Sequence, residues 1–170
     1  DYSVKRRHLA LLMGADEAID PSKNSPYESW MAMAKNDVNG NSMPIEPFSG
    51  QTFREGVFFE CVGVPGVIDQ IMAGAPRNCR IVVVGVCMES DQIRPLVGIN
   101  KELNLQFVLG YKPEEFAETL HNIAEGYVDV APLITATVGL DGVAQAFEDL
   151  ANPELHAKIL VDPTLVNDKH

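Results

Sequence analysis

Two near-continuous apolar runs of strand length mark the middle of the chain, VFFECVG from Val57 and RIVVVGV from Arg80. Strands buried on both faces of a parallel sheet read this way, because neither face meets water. Between them, Gly66 to Ala75 carries Val67, Ile71 and Ala75 at helical spacing. Strand, helix and strand thus succeed one another within about 30 residues, the size of a βαβ unit. Asn104 to Leu109 supplies a third strand, in which Leu105, Phe107 and Leu109 alternate with Asn104, Gln106 and Val108. Its more polar face suits a sheet edge.

The flanks are punctuated more than patterned. Ser3 precedes a charged and aliphatic segment ending at Met13, with Gly14 where a helix terminates, so a helix is expected over Ser3 to Met13. Ala18 to Asp20 reads as a short strand closed by Pro21, and Tyr27 to Lys35 as a helix. Asn39-Gly40-Asn41-Ser42 and the series Pro44, Pro47, Gly50 read as a surface excursion. Pro113 opens a helix with Phe116, Leu120 and Ile123 on one face and Gly126 past its end. Pro132 to Val138 is β-prone. A helix capped by Asp141, with Val143, Phe147 and Leu150 inward, precedes a final short strand over Lys158 to Val161. Alternating helices and strands place the chain in the α/β class.

Composition narrows the function classes. The 170 residues are 46% hydrophobic, enough to bury a core, and the formal net charge of -11 repels phosphate backbones, which speaks against nucleic acid as a partner. Neither a membrane-spanning run nor a basic-then-apolar secretory pattern occurs in the sequence, so no membrane partner and a cytoplasmic location are expected. Cys61, Cys79 and Cys87 lack the short paired spacing of structural zinc sites and, each in or beside an apolar run, read as buried free thiols. His8, His121, His156 and His170 are scattered, and Glu114, Glu115, Glu118 and Glu125 read as the solvated face of a helix. No G-x-S-x-G, P-loop, H-E-x-x-H or G-x-G-x-x-G motif is present.

Several segments, taken in order, carry a resemblance: MGADEAIDP at Met13 to Pro21, FECVGVPG at Phe59 to Gly66, VVVGVCME at Val82 to Glu89, NKELNLQF at Asn100 to Phe107, and GLDGVAQAFEDL followed by AKILVDP. Over nearly its whole length the chain resembles the medium-chain dehydrogenase/reductase superfamily, in the zinc-type alcohol, polyol and threonine dehydrogenase branch. The resemblance implies a partial Rossmann-type, doubly wound and mainly parallel NAD-binding domain, lacking its first strand and glycine-rich loop. Residues 1–138 would form that domain, and residues 139–170 a carboxy-terminal segment returning toward a catalytic domain.

Site residues follow from the same resemblance. Asp1 falls on the acid that accepts hydrogen bonds from the adenosine ribose, a position that favours NAD over NADP. Arg6 aligns with a basic position near that ribose, although Lys5, Arg6 and Arg7 also read as a solvated helix face. Val62 and Val64 fall beside the adenosine portion. Val84, Val86 and Leu109 fall where backbone groups hold the nicotinamide carboxamide. Gly63 and Gly85 would permit close approach of a ligand, or a turn. Lys158 aligns with a basic position that reaches the pyrophosphate; by itself, a lysine at a strand start is ordinarily a solvent-facing charge.

Relatives of this branch oxidise an alcohol bound to zinc, passing hydride to the nicotinamide. The resemblance puts the zinc ligands in an amino-terminal domain outside this sequence. The expected role is therefore the carboxy-terminal, cofactor-binding portion of an NAD-dependent zinc-type dehydrogenase acting on an alcohol or polyol, inactive by itself. A homo-oligomer is expected through Asn104 to Leu109, and an open sheet edge is expected where the missing first strand would pair. Two alternatives stand beside this reading: a non-catalytic α/β interaction module with a degenerate nucleotide crevice, and a zinc-free quinone reductase of the same superfamily.

Overall fold

The computed structural model describes residues 1–35 and 55–165. The excursion expected over Asn39 to Gly50 lies outside the described residues. The chain divides into two compact units, residues 25–110 and residues 1–24 with 111–170.

The 25–110 unit holds a three-stranded sheet of β1 (Val57–Glu60), β2 (Arg80–Val83) and β3 (Asn104–Phe107), in the order β1-β2-β3. Both pairings are parallel, with Glu60 opposite Val83 and Val83 opposite Phe107, so the three carboxyl ends emerge side by side. Helix α2 (Pro26–Lys35) precedes the sheet, and α3 (Val67–Gly74) and α4 (Pro95–Lys101) form the two crossovers. Ile68, Ile71 and Met72 of α3 are buried with Ile81 and Val83 of β2. Ile81 and Cys79 are the largest fully buried side chains among the described residues. Burial of a side chain such as Ile81 contributes about 1.5–3 kcal/mol, which explains why the apolar run from Arg80 takes the central position. Trp30 of α2 packs on Phe58, with ring centroids 4.5 Å apart, and meets Tyr27 edge-on at 5.1 Å.

The apolar runs outlast their strands. β2 stops at Val83 because the Glu60 carbonyl accepts the N–H of both Val84, at 2.9 Å, and Gly85, at 2.8 Å, which turns the chain off the ladder. β3 likewise ends at Phe107 and not at Leu109; Val108 makes one further hydrogen bond, to the Val83 carbonyl at 3.2 Å. The seven-residue α4 was not expected, being too short to establish a period.

In the other unit, α1 (Val4–Leu12) begins as expected at Ser3, whose hydroxyl accepts the Arg6 N–H at 3.1 Å. Ser3 is buried, and its hydroxyl donates to the Pro153 carbonyl, while the Glu154 carboxylate accepts the Val4 and Lys5 N–H groups. Here an acid from the distant chain completes the cap. Ala18 to Asp20 is not a strand. A strand needs a ladder, whereas Ile19 receives one hydrogen bond from the Asp1 nitrogen, and Asp20 folds into a turn that accepts the Ser22 N–H and hydroxyl.

Helix α5 (Pro113–Ala124) leads to β4 (Ile134–Val138), which pairs in parallel with β5 (Lys158–Val161) across α6 (Val143–Leu150). Asp141 does not cap α6. It lies inside the 3-10 turn Leu140–Gly142, and Gly142 occupies the cap position with no side-chain hydrogen bond. Phe147, expected inward, is 75% exposed; the buried residue of the helix is Ala146. The inward seam runs through Val143, Ala146 and Leu150, at i, i+3 and i+7. Among the described residues no helix is long and apolar enough to cross a membrane.

Candidate functional site

The carboxyl ends of β1, β2 and β3 continue into loops that carry seven of the predicted site residues. Val62, Val64, Val84, Val86 and Leu109 are all exposed, from 46% at Val84 to 95% at Leu109, although each belongs to an apolar run. Apolar side chains left in water beyond the carboxyl ends of the strands form a shelf that a planar, weakly polar group can cover.

Gly63 and Gly85 hold the first two loops against each other. Gly63 has φ +70°, in the left-handed region, and a Cβ there would lie 2.7 Å from the Val86 nitrogen and 2.8 Å from its carbonyl oxygen. A Cβ on Gly85 would collide with the Gly63 nitrogen and stand 2.6 Å from Glu60 Oε2. The close approach that these glycines permit is therefore between the two loops. Gly63, at φ +70°, serves the turn that the sequence allowed.

Glu60, which sequence reasoning passed over, lies under this junction. It is 3% exposed, and its Oε1 accepts the N–H of Val62 at 2.6 Å and of Gly63 at 2.8 Å. The available signal was a carboxylate at the end of the apolar stretch VFFE, where an acid must find donors or go unpaid. Asp91, also missed, caps α3 by accepting the Gly66 N–H at 2.8 Å and the Gln92 N–H at 2.7 Å. Asp69 in the first turn of α3 pairs with Arg94, whose Nε and Nη2 reach both carboxylate oxygens at 2.8–3.1 Å. The hydrogen bonds from Arg94 hold the Asp69 carboxyl below its ordinary pKa, and the same pairing raises that of Arg94.

Asp1, Arg6 and Lys158 belong to the other unit. Asp1 Oδ1 accepts the Ser3 N–H at 2.7 Å, leaving the rest of an exposed carboxylate open to solvent. Arg6 is exposed, whereas its neighbour Arg7 is engaged, donating to the Asp1 and Tyr2 carbonyls and pairing with Asp20 at 3.1 Å. Lys158 is exposed at the start of β5, opposite Ile134. Of the three cysteines expected to be buried, only Cys79 is, which pushes its thiol pKa up; Cys61 and Cys87 lie in the loops beyond β1 and β2, where Cys61 is exposed and Cys87 half-buried. Among the described residues no group of three or more His, Cys, Asp or Glu side chains is arranged to hold a metal ion.

Parallel strands with glycine-bearing loops at their carboxyl ends occur in many nucleotide-binding folds, and the family model decides among them. The zinc-binding dehydrogenase model matches residues 1–125. The chain belongs to the zinc-binding dehydrogenase family. Among the relatives of this chain is the (R,R)-butanediol dehydrogenase of Neisseria gonorrhoeae, 28% identical over 168 residues, covering 97% of this chain and 43% of that protein. The crystal structure of 2R,3R-butanediol dehydrogenase from Bacillus subtilis superposes with a TM-score of 0.74 at 25% identity, covering 96% of this chain and 42% of that one. A short chain alcohol dehydrogenase from Escherichia coli, complexed with NADH, superposes over 95% of this chain and 42% of that one with a TM-score of 0.72; at 20% identity the likeness is one of fold. The expected partial Rossmann-type architecture is thereby met. The chain spans less than half the length of these relatives.

Proposed function

We propose that this chain supplies the cofactor-binding portion of a dehydrogenase that passes hydride between an alcohol or polyol and NAD. One observation carries the reading: three parallel strands end side by side beneath an exposed apolar shelf, and ligands of open α/β sheets bind outside the carboxyl ends of their strands. Butanediol dehydrogenases among the relatives support a vicinal diol or similar polyol as the substrate class. The NADH complex of one structural neighbour supports the cofactor.

The residues present suit a nicotinamide dinucleotide. Val62 and Val64 offer apolar contact to an adenosine, and backbone groups at Val84, Val86 and Leu109 are proposed to orient a carboxamide. The Asp1 carboxylate suits ribose hydroxyls and repels a 2′-phosphate, while Arg6 and Lys158 are exposed cations suited to the ribose region and to the pyrophosphate, respectively. The dinucleotide, when bound, supplies the hydride acceptor. Zinc is a different matter. The described residues offer no ligand set for it. Association through β3, and residues 139–170 as a segment returning toward a catalytic domain, are part of the same proposal.

The test is titration of the natural protein in full with NADH, following energy transfer from Trp30, in parallel with oxidation assays on vicinal diols. Saturable transfer, weakened by Gly85→Ala, is expected. Unchanged affinity in Lys158→Ala would remove Lys158 from the site. Absence of any NADH-dependent signal would leave the fold serving as an interaction module.

A further inference from the structure

We infer that Glu60 is the positioning residue of the cofactor-side loops, holding the turn after β1 with its side chain and the turn after β2 with its main chain. The inference rests on the dinucleotide reading for its consequence, though not for its geometry. Backbone N–H groups that converge after a strand make a concavity ready for an anion. In this loop the concavity is already filled, because Glu60 Oε1 takes the Val62 and Gly63 donors at 2.6 and 2.8 Å. The Glu60 carbonyl meanwhile accepts from Val84 and Gly85. Four amides on two loops are thus fixed by one residue, at the level where Gly63 and Gly85 meet.

Two properties separate this from a role in the chemistry. Glu60 is 3% exposed, so a substrate proton has no path to it. Its second oxygen lies against Gly85, only 2.6 Å from where a Cβ there would stand, so the carboxylate is wedged between the loops and away from the open side. With the Val62 and Gly63 amides turned inward, the loop after β1 presents the Val62 and Val64 side chains outward. That surface favours an uncharged ring over a phosphate.

The decisive property is the acceptor's position, and Gln and Asp separate position from charge. In the natural protein in full, Glu60→Gln keeps an acceptor at Oε1 and should stay within about threefold of the parent in NADH affinity. Glu60→Asp keeps the charge but withdraws it by one methylene, and should bind NADH at least about tenfold more weakly, as Glu60→Ala should. Amide hydrogen exchange at Val62 and Gly63 should quicken in Glu60→Asp and Glu60→Ala and hold in Glu60→Gln. Exchange and affinity unchanged in Glu60→Asp would overturn the inference. So would a Glu60→Gln variant as impaired as Glu60→Ala with a matching loss of Tm, since that pattern belongs to general core stability. If the parent binds no NADH, the functional reading fails by itself, and the exchange data still decide the role of Glu60.

Discussion

Asp69 titrates at the join of two helices, because Arg94, its partner, stands at the amino-terminal cap of α4 while Asp69 lies in the first turn of α3. Its folded-state pKa is depressed, so its contribution to stability is complete above the ordinary aspartate value of about 3.9 and is lost as pH falls through that value and the lower folded one. Tm measured from pH 6 downward should therefore fall less steeply in Asp69→Asn than in the parent below about pH 4. Arg94 is largely exposed, so added salt should shrink the difference. An identical slope in the two proteins would mean that the pair contributes nothing to folding. Neither this pair nor Glu60 was legible in the sequence as a contact. Asp69 and Arg94 are 25 positions apart and meet only once both crossovers are laid on the sheet. Glu60 showed itself as an acid in an apolar run, but its donors come from a turn whose shape depends on Gly63.

Elements were legible in proportion to their burial. β2 announced itself because Ile81 and Val83 are buried, and α3 because its apolar spacing had to match that sheet; β1, expected from its apolar run to be buried on both faces, is not, since Val57 and Phe59 are exposed. The failures fell where one long-range contact replaced a pattern. Ala18 to Asp20 has strand-like composition without a ladder, and α4 is held less by period than by its last residue. Lys101 donates through Nζ to the carbonyls of Met72, at 3.1 Å, of Ala73, at 2.5 Å, and of Ala75, at 2.8 Å, closing the carboxyl end of α3. A cation there satisfies carbonyls that the helix cannot and opposes the negative end of its dipole. Lys101→Met, which keeps the aliphatic stem, should lower the free energy of unfolding by about 1–2 kcal/mol. Urea denaturation at neutral pH checks this, and a loss within a few tenths would assign the packing of α3 and α4 to apolar contact alone.

For the molecule as a whole, the sequence carried the fold class and the family because order and spacing of several weak motifs survive where each alone is ambiguous. The site was less legible: resemblance named positions whose proposed function lies in backbone groups, and side-chain chemistry reports little about those. The pairing pattern has one further consequence. Arg80 and Val84 donate to the Gly56 and Glu60 carbonyls, so alternate residues of β1 face β2, and the main-chain groups of Val57 and Phe59 point the other way. Both side chains are exposed, and among the described residues no strand pairs with that side. Such a margin is adhesive, and the net charge of -11 opposes the approach of like molecules. Residues 1–170 prepared alone should sediment as small species at low ionic strength and grow progressively in sodium chloride, as the screening length shrinks from about 10 Å at 0.1 M to about 3 Å at 1 M. A sedimentation coefficient indifferent to salt would show that the margin is shielded. Otherwise brine, ordinarily a solubilising choice for an acidic protein, becomes the condition that turns this one into fibres or gels.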